Sequence, residues 1–467
     1  MDKKLKKTLI ELLDIAPLKL VGILKKYPSL KRVDIENVKL AHSTLINFGI
    51  DQDQITEIPQ LIALLPVVIE NRCLLLQEFG FNKITAQLLL RYLVTVKKRV
   101  SLLKSHGLLP ADANVPENIY SYIEKPPKTA PMLPILDEKK SLYEVYMSVR
   151  EHYLTWRLEF PNRDSYLSIL NTYCRLKHKS FRSVEETIKI LENDLGFTKE
   201  RIRNHGYLLH SNPHNTRSIL SEITEIGGMP IHEVLKKYPK VIMTNVKTIK
   251  EIIQILKDNN IPNESIQQSY TIFTMASRSI LNRLHQLKEI PEFNVLSKNK
   301  RILKLVNHQH KAKQRLEYLH KIKMRNASLH ILSSTDADFE KYVISGADKT
   351  RGMDVINYLK DKLKDKSNDI RSELMKHPFW FHVPLVQVSE TCEYLCKNYN
   401  VQDIKEVAQI LLYPKEKVKT EILNIRNVPE IKRKWLSPVQ ELNLCLYYLE
   451  KPHHFSGDGI WKNETIS

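Results

Sequence analysis

The chain has 467 residues, 72 Lys+Arg against 53 Asp+Glu, and a formal charge of +19. Only 12 residues are glycine, under 3% (12/467) against an average usage of about 7%, which argues against dinucleotide-binding and P-loop folds, whose phosphate turns need glycine for close backbone approach. At 42% hydrophobic it can bury ample core, and its length suits two or three ordinary domains or one long repeat array.

The amino-terminal stretch MDKKLKKTLIELLDIAP has a basic start and an acidic sequel, so it does not read as a secretory signal. As a mitochondrial presequence it is poor, lacking Arg and Ser and carrying Asp2, Glu11 and Asp14. Beyond it the periodicity is helical nearly throughout, as in NVKLAHSTLINFGI, SVEETIKILENDLGF and TIKEIIQILKDNNI, where apolar residues fall three and four apart. The longest apolar run, 61–69, is broken by Pro66 and falls short of the ~20 residues a membrane span needs, so no membrane partner is expected.

Two markers recur along the chain. Gly22, Gly49, Gly80 and Gly107 are 27, 31 and 27 apart, and Gly196 to Gly227 is again 31. Apolar stretches end in a proline at Pro28, Pro66, Pro239, Pro378 and Pro414. The two KKYP copies superpose at an offset of 211, bringing Leu24 onto Leu235, Leu45 onto Leu256, Ile50 onto Ile261, Ile55 onto Ile266 and Asn71-Arg72 onto Asn282-Arg283. The pattern predicts an all-α protein, a solenoid of stacked helical hairpins. In each unit a first helix is stopped by proline and a second ends at Gly or Asn. One hairpin cannot bury its apolar face alone, so neighbours must stack.

Residues 110–134 hold six of the 22 prolines. The expected organisation is amino-terminal repeats over 1–109, a proline-rich connecting loop over 110–137 and carboxy-terminal repeats over 138–450, with an insertion near 326–352. A polar tail follows over 451–467. Between 298 and 325 there are ten Lys/Arg and one acid, Glu317, a net charge of 10 − 1 = +9 without an intervening Pro or Gly. On one helix Arg301, Lys304, His308, Lys311 and Arg315 would form a stripe, with Ile302, Leu305, Ala312, Leu316 and Leu319 about 100° away. So one-signed a segment repels itself unless a polyanion relieves it, which points to nucleic acid.

Arg72 and Arg99 each precede a glycine by eight residues, and Arg283 precedes Pro291 by eight. In stacked hairpins such guanidinium groups could line a concave surface facing phosphates, or cap carbonyls inside each repeat. Lys97, Lys98, Arg175, Lys177 and Arg182 add smaller basic clusters. Catalytic signatures are missing, so no enzyme activity and no cofactor are expected. Five scattered cysteines and 17 dispersed histidines, His308, His310, His453 and His454 among them, read as buried thiols and solvated rings rather than metal ligands.

The unit in LLPVVIENRCLLLQEFGF and KKYPKVIMTNVKTIKEIIQILKDNNI resembles the mitochondrial transcription termination factor (mTERF) family, most closely its animal branch, with insects the narrower reading. The resemblance covers most of 20–110 and 185–430. It implies a matrix protein of antiparallel helix pairs, each with a short 3₁₀ turn, coiled into a curved, left-handed superhelix whose basic channel holds duplex DNA. It further implies termination or modulation of mitochondrial transcription, with arginine base contacts carried over to Arg72, Arg99 and Arg283. The alternative it offers is an RNA-binding factor in mitochondrial ribosome assembly or translation. The partners implied are duplex mitochondrial DNA, with ribosomal RNA or another mitochondrial transcription factor as alternatives, bound by a monomer.

Overall fold

A computed structural model describes residues 3–122, 134–324, 327–346, 348, 351–365, 369–428 and 436–461. Among these the chain is all-α, apart from a two-residue hairpin pairing Glu225–Ile226 with Met229–Pro230.

One local pattern recurs: a helix, a five-residue 3₁₀ turn, a second helix. The 3₁₀ turns span Pro28–Arg32, Pro59–Ala63, Cys174–His178, Gly206–His210, Pro239–Met243, Tyr270–Thr274 and Ala408–Leu412. The 211-residue offset holds at nearly every boundary. Ile35–Asn47 matches Val246–Asp258, Pro59–Ala63 matches Tyr270–Thr274, and Pro66–Glu78 matches Ser277–Glu289. Each of these four helices has 13 residues. Within the repeats second helices pack on each other, Ile35–Asn47 on Pro66–Glu78 and Val246–Asp258 on Ser277–Glu289. In the first unit the 3₁₀ turn Pro28–Arg32 touches Pro59–Ala63, and Gly206–His210 touches both Cys174–His178 and Pro239–Met243.

The prolines fall into two classes rather than one. Pro28, Pro59 and Pro239 open 3₁₀ turns and so stop a first helix. Pro66 occupies the first position of a second helix and Pro414 sits at the cap of another, where a missing N–H costs nothing. The glycines also divide. Gly49, Gly80 and Gly107 follow helix ends with φ of 76°, 84° and 68°. Gly22, in contrast, lies inside the helix Pro17–Lys26, and Gly227 with Gly228 makes the turn of the small hairpin.

The chain divides into two compact units, residues 1–222 with 235–245, and residues 223–234 with 246–467. The expected connecting loop over 110–137 contains a helix, Val115–Ser121, whose Tyr120 ring stacks 6.1 Å from Phe181; residues 123–133 lie outside the described ones. Hydrogen bonds cross the proline-rich stretch. The buried Glu78 carboxylate accepts from the Ser180 hydroxyl at 2.7 Å and from the Phe181 and Arg182 amides at 2.9 and 2.8 Å. It thereby caps the helix Phe181–Lys189, and both sides of the stretch belong to the same unit. The span 326–352 holds two helices, Leu329–Ser333 and Asp336–Ser345, and the start of Arg351–Lys362; residues 325, 326, 347, 349 and 350 lie outside the described ones.

In the second unit the core is built from residues such as Leu359, Val388, Leu395, Ile410, Leu411 and Ile422. No helix among the described residues is long and apolar enough to cross a membrane.

Candidate nucleic-acid interface

The basic segment of the second unit is two helices, not one: Ile302–Asn307 and Gln309–Lys321, broken at His308. The break has a donor behind it. Arg283 Nη1 donates to the carbonyls of Val306 and Asn307 at 2.9 and 2.8 Å, oxygens that a continuous helix would offer to amides four residues on. Ile302, Leu305, Ala312 and Leu319 are buried, as the apolar stripe required. Arg301, Lys304, His308 and His310 are exposed. Lys311 is half-buried and pairs with Asp336 at 2.7 Å, while partial desolvation of the ring, then the nearby Lys311 and Arg283, hold the pKa of His308 below the usual value.

Arg315 turns inward. Its Nη1 donates to the carbonyls of Ile331, Leu332 and Ser334 at 2.9, 3.2 and 3.0 Å, and its Nη2 to Thr335 O and the Asp336 carboxylate at 2.8 and 2.9 Å. Its guanidinium also lies 4.5 Å from the Phe339 ring centroid. The side chain is 5% exposed, so it closes the end of the helix Leu329–Ser333 instead of joining a cationic stripe. Arg72 acts alike in the first unit. Nη1 donates to Leu89 O at 3.0 Å near the end of Ala86–Leu90, with the Tyr92 ring 5.5 Å away. Arg72, Arg283 and Arg315 therefore share one local job, holding the last carbonyls of a helix that follows in the chain, where a cation is also favoured by the helix dipole.

Arg99 departs from the register. It sits at the cap of the short helix Val100–Ser105, not on a second helix, and is exposed beside the exposed Lys97 and half-buried Lys98. Arg99 itself pairs with Ser141 in an isolated antiparallel bridge.

The first unit also contains a cleft of about 590 Å³ that the sequence reading did not assemble. The helix Pro66–Glu78, the 3₁₀ turn Cys174–His178 with Lys179 after it, the helix Phe181–Lys189, the 3₁₀ turn Gly206–His210 and the first half of the helix Pro213–Glu222 bring Arg72, Arg175, Lys179, Arg182 and Arg217 to its lining. Two acids accompany them, Glu70 and Glu186, and Arg217 pairs with Glu186. Leu65, Val67, Leu93 and Tyr92 supply an apolar side, with Leu65 and Leu93 well exposed. The hints in the sequence were Arg72 and the cluster Arg175, Lys177 and Arg182, whose meeting across helices no local pattern could announce.

Positive charge is concentrated beneath this cleft. The fully buried Arg150 donates Nη1 to Tyr146 Oη at 2.8 Å and to Lys179 O at 2.9 Å, while its Nε and Nη2 have no partner. The ammonium of the buried Lys179 donates to Ser211 O and, at 3.4 Å, to Thr187 Oγ1. Burial, then Arg150, pushes its pKa down to about 7. His210 falls to about 4 through burial and the nearby Lys179 and Arg175, and His178 is lowered mainly by burial. Two buried polar atoms of lining residues, His178 Nδ1 and Ser211 Oγ, lack a hydrogen-bond partner.

Among known proteins, transcription termination factor 5, mitochondrial, of Drosophila melanogaster is 33% identical over 450 residues, covering 94% of this chain and 80% of that protein. No family model and no solved structure matches the chain.

Proposed function

Because this chain belongs to the mitochondrial transcription termination factor family, we propose that it binds double-stranded DNA and regulates mitochondrial transcription, acting by binding rather than catalysis. The protein is mitochondrial. In this reading the helix–3₁₀–helix units stack as a solenoid that curves into a superhelix with a basic channel. The exposed cations Arg301 and Lys304 of the second unit, and Lys97 and Arg99 of the first, are the phosphate contacts in this reading, with Lys98 and His308 beside them, and a single chain suffices.

The observation that supports this most is the basic run of 298–324, in which Glu317 is the one acid. Its apolar residues are spent on the core while Arg301 and Lys304 stay exposed, and a polyanion relieves the repulsion among such charges. Phosphate contact releases counterions, so log affinity should fall against log salt with a slope of about −0.9 per phosphate neutralised. Titrating duplex DNA at several salt concentrations tests the reading, and salt-insensitive binding or none at all overturns it. Crosslinking in organelles, with both DNA and RNA sequenced, decides the polymer. Ribosomal RNA enriched without a DNA peak would replace duplex DNA by the ribosome-assembly alternative, since A-form helices also present phosphates to basic grooves.

A further inference from the structure

The cleft of the first unit has more cationic character than its own fold consumes. Its lining carries Arg72, Arg175, Lys179, Arg182 and Arg217 against Glu70 and Glu186, a balance of 5 − 2 = +3. Beneath it the buried Arg150 donates to Lys179 O while the Lys179 ammonium donates to Ser211 O, and the buried Glu78 carboxylate is already engaged by Ser180 and two amides. Buried charge without a partner is costly, and an anion entering the cleft offsets that cost. The dipole of the ten-residue helix Pro213–Glu222, whose first residues line the cleft, adds to the attraction. Ser211, 2% exposed, keeps an unpartnered Oγ there, and His178 an unpartnered Nδ1.

Shape narrows the anion. A volume of about 590 Å³ lies within the range of small-molecule sites and far exceeds what a bare phosphate fills. It cannot admit a duplex, whose major groove alone is about 12 Å wide. The apolar side, Leu65, Val67, Leu93 and Tyr92, suits a flat, weakly polar group next to the charged one. We infer that this cleft is a binding site for a free nucleoside monophosphate, with the phosphate held by the guanidinium groups and the base against the apolar side. The inference does not depend on duplex binding by the exposed cations described above.

Calorimetric titration of the full chain with each of the four ribonucleoside 5′-monophosphates tests this, with inorganic phosphate and adenosine as controls. The expected result is one-to-one binding of at least one monophosphate, with both controls at least tenfold weaker. Arg175→Gln combined with Arg182→Gln, both at exposed positions, should weaken it at least tenfold. Leu93→Asp, on the exposed rim, should do so independently and serves if the double variant fails to fold. No binding of any monophosphate at about 1 mM, or undiminished binding in folded variants, overturns the inference. So does a single-stranded oligonucleotide that binds through Arg175 and Arg182 when the monophosphates do not, because the phosphates in the cleft would then belong to a strand.

Discussion

Arginine 315 shows how much one side chain can hold together. Its guanidinium satisfies four carbonyls and pairs with Asp336 from a nearly buried position. Truncation to alanine leaves those oxygens with fewer donors, and a hydrogen bond to a charged group contributes about 1.5–3 kcal/mol net, while water reaching the emptied site takes up part of the loss. Arg315→Ala should therefore cost about 3 kcal/mol in urea unfolding of the second unit, and Arg315→Lys should recover only part of it, having no fork. Lys179 gives a pH test. With a folded pKa of about 7 against an ordinary 10.5, the folded state binds fewer protons than the unfolded one between those values. Stability of the first unit should rise as pH climbs through that window, and the penalty is fully present below it. Lys179→Met should flatten the slope of melting temperature against pH over that range. The groups setting this shift besides burial are Arg150, Glu70 and Glu186. That arginines recur at Arg72 and Arg283 was legible in the chain; that they grip carbonyls 17 to 24 residues downstream was not. Capping and phosphate binding ask for the same fork, and the partner lies outside any local pattern.

Repeated glycines separate by conformation once the helices are placed. Gly80 has φ +84°, and an added Cβ would meet Asn118 Nδ2 at 2.2 Å. Gly49 has φ +76° and open space, and Gly22 sits mid-helix with nothing near it. Gly80→Ala should thus cost most, Gly49→Ala about 1 kcal/mol, and Gly22→Ala should stabilise by about 0.5–1 kcal/mol, measured by thermal or urea unfolding. Spacing alone treats the three as one marker, because it registers where glycine occurs and not the backbone angle that requires it. The 211-residue offset succeeded where spacing failed, since it compares whole apolar faces. Leu45 and Leu256 are both fully buried, and the flanking boundaries coincide. The single basic helix over 298–325 was misread for a different reason. Helical periodicity continues across His308, and only the distant Arg283 ends the first segment there.

At the scale of the molecule, the division into two units bears on how it unfolds and on what it binds. Composition placed the boundary at the proline-rich stretch, yet the buried Glu78 carboxylate reaches across it to cap another helix. Glu78→Ala should strip three donors of their acceptor and lower the first unit's stability by about 2–4 kcal/mol, while leaving the urea transition of the second unit in place. For binding, replacing the exposed Lys97 and Arg99 by alanine should reduce the salt slope of duplex affinity by about 1.8 if each meets one phosphate.

The arginine clamps also impose an order in time. Each holds a helix end that lies further along the chain, by 17 residues for Arg72, 23 for Arg283 and 16 for Arg315. During synthesis, when amino-terminal segments emerge first, a newly exposed hairpin keeps a guanidinium waiting until the next stretch leaves the ribosome tunnel. Attachment of each clamp thus trails emergence of its arginine by roughly one hairpin, and a pause that holds residue 89 or 306 inside the tunnel would leave an unfinished, chaperone-accessible intermediate.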